Sequence, residues 1–364
     1  MIKNKNIKKT VILTVSAATL LTTSAPILNY TVAHADDSIV NNINNNNNNN
    51  SLSTNSSSSS VDSSSSSVTQ TKQHTLSRPY VVFGTGTSQN QQNQLEQIFE
   101  TQDVANVKTM TAGASAYNKY LNNGQSSGTT DAAMISSVAI APADPGSGIK
   151  VNIKKYNGND NITQVTAQQY AMVAQMAGVT DVTITVSAPK EVSGESALTG
   201  VYAALNEDGA SINPENTASA NSMLDATQAA IKDNSNDSSY PGKLMTAVGN
   251  TTKDIAQQKQ DGQNPNEDQI KDMLDKNLQK QGIDDQTSSG NVTNIVNALV
   301  KFNNSPISSD KTFLNNVGNT ISNIKGSTGD VMNKAKNIMG NPEVQGFWQK
   351  VKTFFANLFG NYFG

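Results

Sequence analysis

The chain reads as an α+β protein: a mixed α/β-layer domain over residues 80–209, followed by a helical region over 210–364. Two patterns carry this reading. Between residues 80 and 209, short runs with period-two apolar alternation are interleaved with stripes at helical spacing. Beyond 210 only the three- and four-residue spacing remains. A third observation sets the edge of the domain: upstream of residue 80 the sequence collapses into near-homopolymeric Asn and Ser.

The elements follow in order. Tyr80 to Phe83 is a short β-type run ended by Gly84-Thr85-Gly86. Ser88 and Gln91 form a capping box, and Leu95, Ile98 and Phe99 give the first helix its apolar face. Residues 104–109 alternate as a strand, and a second alternating block covers 133–141. The turn Asp144-Pro145-Gly146-Ser147-Gly148 leads into residues 149–156, with Ile149, Val151 and Ile153 on one face, so a hairpin is expected. Thr166 is placed to cap a helix carrying Tyr170, Val173, Ala174 and Ala177, with Gly178 as its stop. Val182, Ile184 and Val186 alternate as a strand closed by Pro189. A helix from Gly194 to about Asn206 presents Leu198, Val201, Tyr202 and Leu205.

Five stripes then predict helices. They are marked by Met223 and Leu224; by Leu244, Met245 and Val248; by Ile270, Leu274 and Leu278; by Val292, Ile295, Val296 and Leu299; and by Phe313, Val317, Ile321 and Ile324. The terminal segment is the most apolar. Phe347, Trp348, Val351, Phe354, Phe355, Leu358 and Phe359 recur at helical steps around Lys350 and Lys352, the pattern of an amphipathic helix that packs on its neighbours or lies on a membrane or partner surface.

The N-terminus has the three-part build of a secretory signal. Lys3, Lys5, Lys8 and Lys9 precede an apolar stretch from residue 11 to 21, and Ala33-His34-Ala35 supplies a small-x-small cleavage pattern. Residues 1–35 are therefore expected to be a signal peptide and 36–79 a disordered linker, since Asn and Ser bury too little apolar surface to offset the entropy of ordering. Secretion to the extracellular space follows from this, with non-covalent attachment to the cell surface as an option through the terminal helix.

Composition narrows the chemistry. The formal net charge is −3, which argues against a nucleic-acid partner. There is no Cys, so disulfides, thiol nucleophiles and thiolate metal sites are excluded. Of two histidines, His34 lies in the signal and His74 alone in a polar stretch, so neither a Ser–His–Asp triad nor a His-based zinc site is expected. No cofactor motif emerges: Gly84-x-Gly86 lacks the third glycine of a dinucleotide fingerprint, with Gln89 in its place. No catalytic residue or metal ligand is assigned.

The central block carries a signature. It runs Gly146-Ser147-Gly148-Ile149, Val165-Thr166, Ala177-Gly178-Val179 with Asp181, Ala188-Pro189, then Val192-Ser193-Gly194 with Ala197-Leu198-Thr199-Gly200-Val201. In this order and spacing it resembles the YpuA-like secreted family of Gram-positive bacteria, a domain of unknown function (1002). The resemblance is strongest over 146–206 and extends from about 80; the distal helices match only in being helical. It implies secretion and an α+β domain, and brings no activity with it.

Two loops are the candidate ligand contacts. Gly146, Ser147 and Gly148 serve the expected hairpin, and glycine there also permits close backbone approach. Pro189, Ser193, Gly194 and Glu195 lie where a strand runs into a helix, with Ser193 the expected N-cap and Glu195 in the first turn. Gly194-Glu195-Ser196-Ala197-Leu198 superficially resembles a nucleophile elbow, but Leu198 replaces the second glycine. A non-catalytic binding protein for a cell-wall polymer, a membrane surface or another surface protein is the leading expectation. The alternatives are a wall hydrolase using carboxylates from among Glu191, Glu195, Asp131 and Asp144, and a membrane-associating protein acting through the terminal helix.

Overall fold

A computed structural model describes residues 73–326. Residues 1–35, expected to be a signal peptide, most of the Asn/Ser segment and the aromatic stripe from Phe347 to Phe359 lie outside the described residues.

Five strands form one sheet: β1 (Tyr80–Gly84), β2 (Lys108–Ala112), β3 (Ser137–Pro142), β4 (Ile149–Ile153) and β5 (Val182–Ser187), in the order β2-β1-β3-β5-β4. The β1–β2 and β4–β5 pairs are parallel, and β3 runs against both its neighbours. The helices are α1 (Gln89–Ile98), α2 (Ala114–Tyr120), α3 (Ala167–Met176), α4 (Glu195–Glu207), α5 (Pro214–Asp233), α6 (Tyr240–Gln260), α7 (Glu267–Gln281), α8 (Ser289–Asn304) and α9 (Lys311–Gly326). The α+β architecture and the helical C-terminal region are as the sequence predicts.

Local chemistry accounts for most boundaries. Ser88 with Gln91 and Thr166 with Gln169 form the capping boxes of α1 and α3. Gly178, at φ 103°, lets the chain turn after α3. Two strand starts differ from expectation, and β4 ends at Ile153 rather than 156. β2 begins at Lys108 rather than 104, because Asn106 at φ 62° turns the chain and Val104 is buried in the loop before it. β3 begins at Ser137, because Asp131–Ala133 winds into a 3-10 turn.

The expected hairpin between β3 and β4 does not form: β5 is inserted between them and pairs with both. Asp181, at φ 53° just before β5, fills the gap. Its backbone carbonyl accepts from Ala143 N at 2.7 Å and its side chain from Gly148 N at 2.9 Å, spanning the space a hairpin turn would have closed.

The sheet is covered unequally. On one face α4 packs on β1 and β3 and α3 on β4; on the other, Leu95 and Phe99 meet Val81, Phe83, Ala139 and Tyr156 in a small second core. Helix α3 is the centre of the molecule. Its residues from Gln168 to Met176 are all buried, because α5, α6 and α9 pack on the side turned away from the sheet. The main core therefore runs without a break from Tyr80 through α3 to Ile324, across the 209–210 junction. Gly249 makes this layer possible: a Cβ there would lie 2.5 Å from Met172 Cε and 2.7 Å from Ile321 Cγ1.

Candidate functional site

Because β1, β2, β4 and β5 share one direction, their C-terminal ends open on the same edge of the sheet, where ligands of open α/β sheets gather. Helices α2 and α4 start there, after β2 and β5. Glu195 opens α4, and its Oε2 accepts a hydrogen bond of 2.7 Å from the Tyr117 hydroxyl of α2. Partial desolvation, this bond and the charges of Glu195 and Asp225 all push the Tyr117 hydroxyl well above its ordinary value, so it stays a donor.

Asp225 on α5 completes the group. Partial desolvation and the nearby charge of Glu195 raise its carboxyl above the usual Asp value, while Lys301 of α8 pulls the other way. From Asp225 a groove of about 290 Å³, open to solvent, continues between α5 and α8. Ser222, Asp225, Asn294, Asn297 and Lys301 line it with two alanines, and Lys301 Nζ donates to Ser222 Oγ at 2.9 Å. The site thus joins two carboxylates, a phenol, two amides, a hydroxyl and an ammonium group.

The residues singled out in the sequence fall in three places. Gly146, Ser147 and Gly148 do not make a hairpin turn; they seat α9. Asn319 Nδ2 donates to Gly146 O at 2.5 Å and Asn323 Nδ2 to Ser147 O at 2.9 Å, and a Cβ on Gly148 would lie 2.6 Å from Thr320 N. Pro189 and Ser193 are half-buried in a loop tied to residues 161–165, where Gln164 N and Val165 N donate to Ser193 O. Ser193 is not the N-cap of α4. Gly194 takes that position at φ 109° and brings no side chain to cap the helix; instead Ser136 Oγ accepts from Ala197 N at 2.9 Å. Tyr170 explains the geometry, since its hydroxyl donates to Gly194 O at 2.6 Å and leaves no room for a Cβ. Only Glu195 of these residues reaches the groove-side cluster.

The elbow-like Ser196 is buried, bonded to Ser136 Oγ at 2.6 Å and Ser136 O at 2.9 Å. Asp131 caps α2 through Ala114 N at 2.7 Å and accepts from the Thr85 hydroxyl. Glu191 is exposed in the loop before α4, and Asp144 is exposed and accepts Ser147 N through its carbonyl. Among the described residues no three His, Asp or Glu side chains converge as a metal site would require. No described helix is long and apolar enough to cross a membrane.

Sequence reasoning missed Asp225, Tyr117, Lys301 and the two amides. One signal was present: Asn294, Asn297 and Lys301 recur at three- and four-residue steps, a polar stripe on one face of α8.

Residues 83–320 match the family described as "Protein of unknown function (DUF1002)". The chain belongs to the DUF1002 family. The match bears out the resemblance carried by the central motifs and extends it over α5 to α8 and into α9. The chain is 35% identical over 99 residues to the "Uncharacterized protein YpuA" of Bacillus subtilis (strain 168), a stretch of 27% of this chain and 32% of that protein. The alignment thus spans about a third of that relative's length. No solved structure matches.

Proposed function

We propose that this DUF1002 protein is a secreted, cell-surface-associated binding protein whose α5–α8 groove takes a hydroxyl-rich polymer, with wall glycan as the ligand class. The observation that carries the proposal is the density of hydrogen-bonding groups in the groove: Ser222, Asp225, Asn294, Asn297 and Lys301 line it without an aromatic or bulky aliphatic wall. Amides, carboxylate and ammonium together offer both donors and acceptors, which suits vicinal hydroxyls better than an apolar ligand.

The test is co-sedimentation of the full chain with insoluble cell-wall glycan. The wild type should pellet with it, and Asn297→Ala and Lys301→Ala should each weaken the association about tenfold, as loss of one hydrogen bond to a charged or amide group predicts. A wild type that stays in the supernatant, or variants that pellet equally well, would overturn the proposal.

A second reading has one observation in its favour. A carboxyl with a raised value (Asp225) next to a second carboxylate (Glu195) is the arrangement of an acid–base pair in glycoside hydrolysis. Here Asp225 would protonate the leaving oxygen and Glu195 would serve as the partner carboxylate. Release of soluble fragments from wall material by the wild type, abolished in Glu195→Gln and Asp225→Asn, would establish this reading. Binding without release would leave the groove a recognition site.

A further inference from the structure

At the other end of α4 the chain preceding β1 is held by one buried carboxylate. Asp208 sits at the C-cap of α4, where a negative charge is disfavoured by the helix dipole, yet its side chain is only 1% exposed. It accepts four hydrogen bonds from residues 74–80: His74 Nε2 at 2.8 Å, Ser77 N at 2.8 Å, Ser77 Oγ at 2.5 Å and the Tyr80 hydroxyl at 2.8 Å. The same strap pairs by backbone with the turn after α3, through His74 N to Gly178 O and Thr180 N to His74 O. It inserts Leu76 into the main core and reaches the start of α9 through Gln73 N to Asp310 Oδ2. Three segments far apart in sequence therefore converge on residues 73–77.

We propose that this strap is a proton-strengthened clasp. Protonation of His74 turns its hydrogen bond to the buried Asp208 carboxylate into an ion pair and tightens the strap on α4 and the 178–180 turn.

The charge environment favours this. Burial pulls the Asp208 carboxyl upward, but the hydrogen bonds from Ser77, His74 and Tyr80 outweigh it and hold it below the ordinary Asp value. Its stabilising effect is present above the unfolded carboxylate value and is lost only as pH falls through the lower folded value, so Asp208 stays ionised across the range in which an imidazole titrates. The other charged groups nearby are Arg78 on the strap, Glu207 on α4, ion-paired with Lys108 of β2, and Asp310 before α9. The Tyr80 hydroxyl is pushed up by burial and by its bond to Asp208, and remains a neutral donor. The stretch preceding the clasp in sequence is the Asn/Ser-rich segment, so the clasp sets how firmly the domain is held at that junction.

Hydrogen exchange of the full chain at pH 5.5 and pH 8, corrected for intrinsic rates, tests the proposal on peptides covering residues 74–80. Protection of the strap should be about threefold greater at pH 5.5 in the wild type, with peptides from α6 unchanged, because protonation adds only the attraction of an ion pair at a partly exposed imidazole to a bond that the Asp208 carboxylate already strengthens. His74→Gln keeps a donor without a titratable charge, so its strap protection should be equal at the two pH values. Asp208→Asn should lower strap protection at both. Equal protection in the wild type at both pH values, or the same pH dependence in His74→Gln, would overturn the clasp.

Discussion

Gly194 joins β5's exit loop to α4 at φ 109°, and a Cβ there would lie 2.5 Å from the Tyr170 hydroxyl and 2.8 Å from Ile162 Cγ2. Two costs coincide: the left-handed backbone and a clash with a fully buried tyrosine. Gly194→Ala should therefore lower stability by about 2–4 kcal/mol, read from the urea midpoint. Tyr170→Phe should cost less, about 1 kcal/mol, because it removes one hydrogen bond and keeps the ring. Equal effects would mean that the glycine is not required by space. Asp225 makes a second residue-level case, through pH. Its carboxyl is raised in the folded protein, so its contribution favours folding below the unfolded carboxylate value and fades as pH rises through the folded one. Asp225→Asn removes that dependence. The variant should have a higher urea midpoint than wild type at pH 7, and the gain should disappear near pH 3. A variant less stable than wild type at pH 7 would show that the ionised carboxylate is better satisfied than its surroundings imply.

At the scale of elements, the question is what holds α9 to the sheet. Thr320 is fully buried; its hydroxyl donates to Gln175 Oε1 at 2.6 Å and accepts from Ile149 N at 3.0 Å. One side chain thus ties α9 to α3 and to the first residue of β4. Thr320→Val preserves shape and strands both partners, so it should cost about 2–3 kcal/mol and expose the Ile149 amide to exchange. An unaffected Ile149 amide would show that another group satisfies it. These ties also mark where the sequence stops being informative. The capping boxes, the strand around Ile184 and the apolar stripes of α5 to α9 are local, and local chemistry places them correctly. The pairing of strands is not local. Asp144 to Gly148 has every feature of a hairpin turn, and only Asp181, more than thirty residues on, shows that β5 occupies the space between β3 and β4. The site divides the same way. Glu195 was legible from its place in the first turn of α4, whereas Asp225 and Lys301 join it only through the packing of α5 on α3 and of α8 on α5. His74 and Leu76 were hidden because a polar neighbourhood disguises a strap with one buried anchor.

For the whole molecule, composition suggests two parts, a mixed domain ending near residue 209 and a helical appendage after it. A fragment of roughly 130 residues is large enough to fold by itself on size alone. The packing of α3 points the other way. Between Gln168 and Met176 every side chain is buried, and the side turned away from the sheet is covered by α5, α6 and α9. Removing those helices would bare Met172 and leave the buried Gln169 without its Thr227 partner and Gln175 without Thr320. Exposed apolar surface and stranded amides on the central helix would cost more than the marginal stability of a typical domain, about 5–15 kcal/mol, can absorb. A chain ending at residue 209 should therefore lack a cooperative unfolding transition. A chain ending at residue 326 should unfold in one step, with circular dichroism and tyrosine fluorescence giving coincident curves. A cooperative transition in the shorter chain, or two resolved steps in the longer one, would show that the sheet and the helical layer are separable folding units despite their shared core.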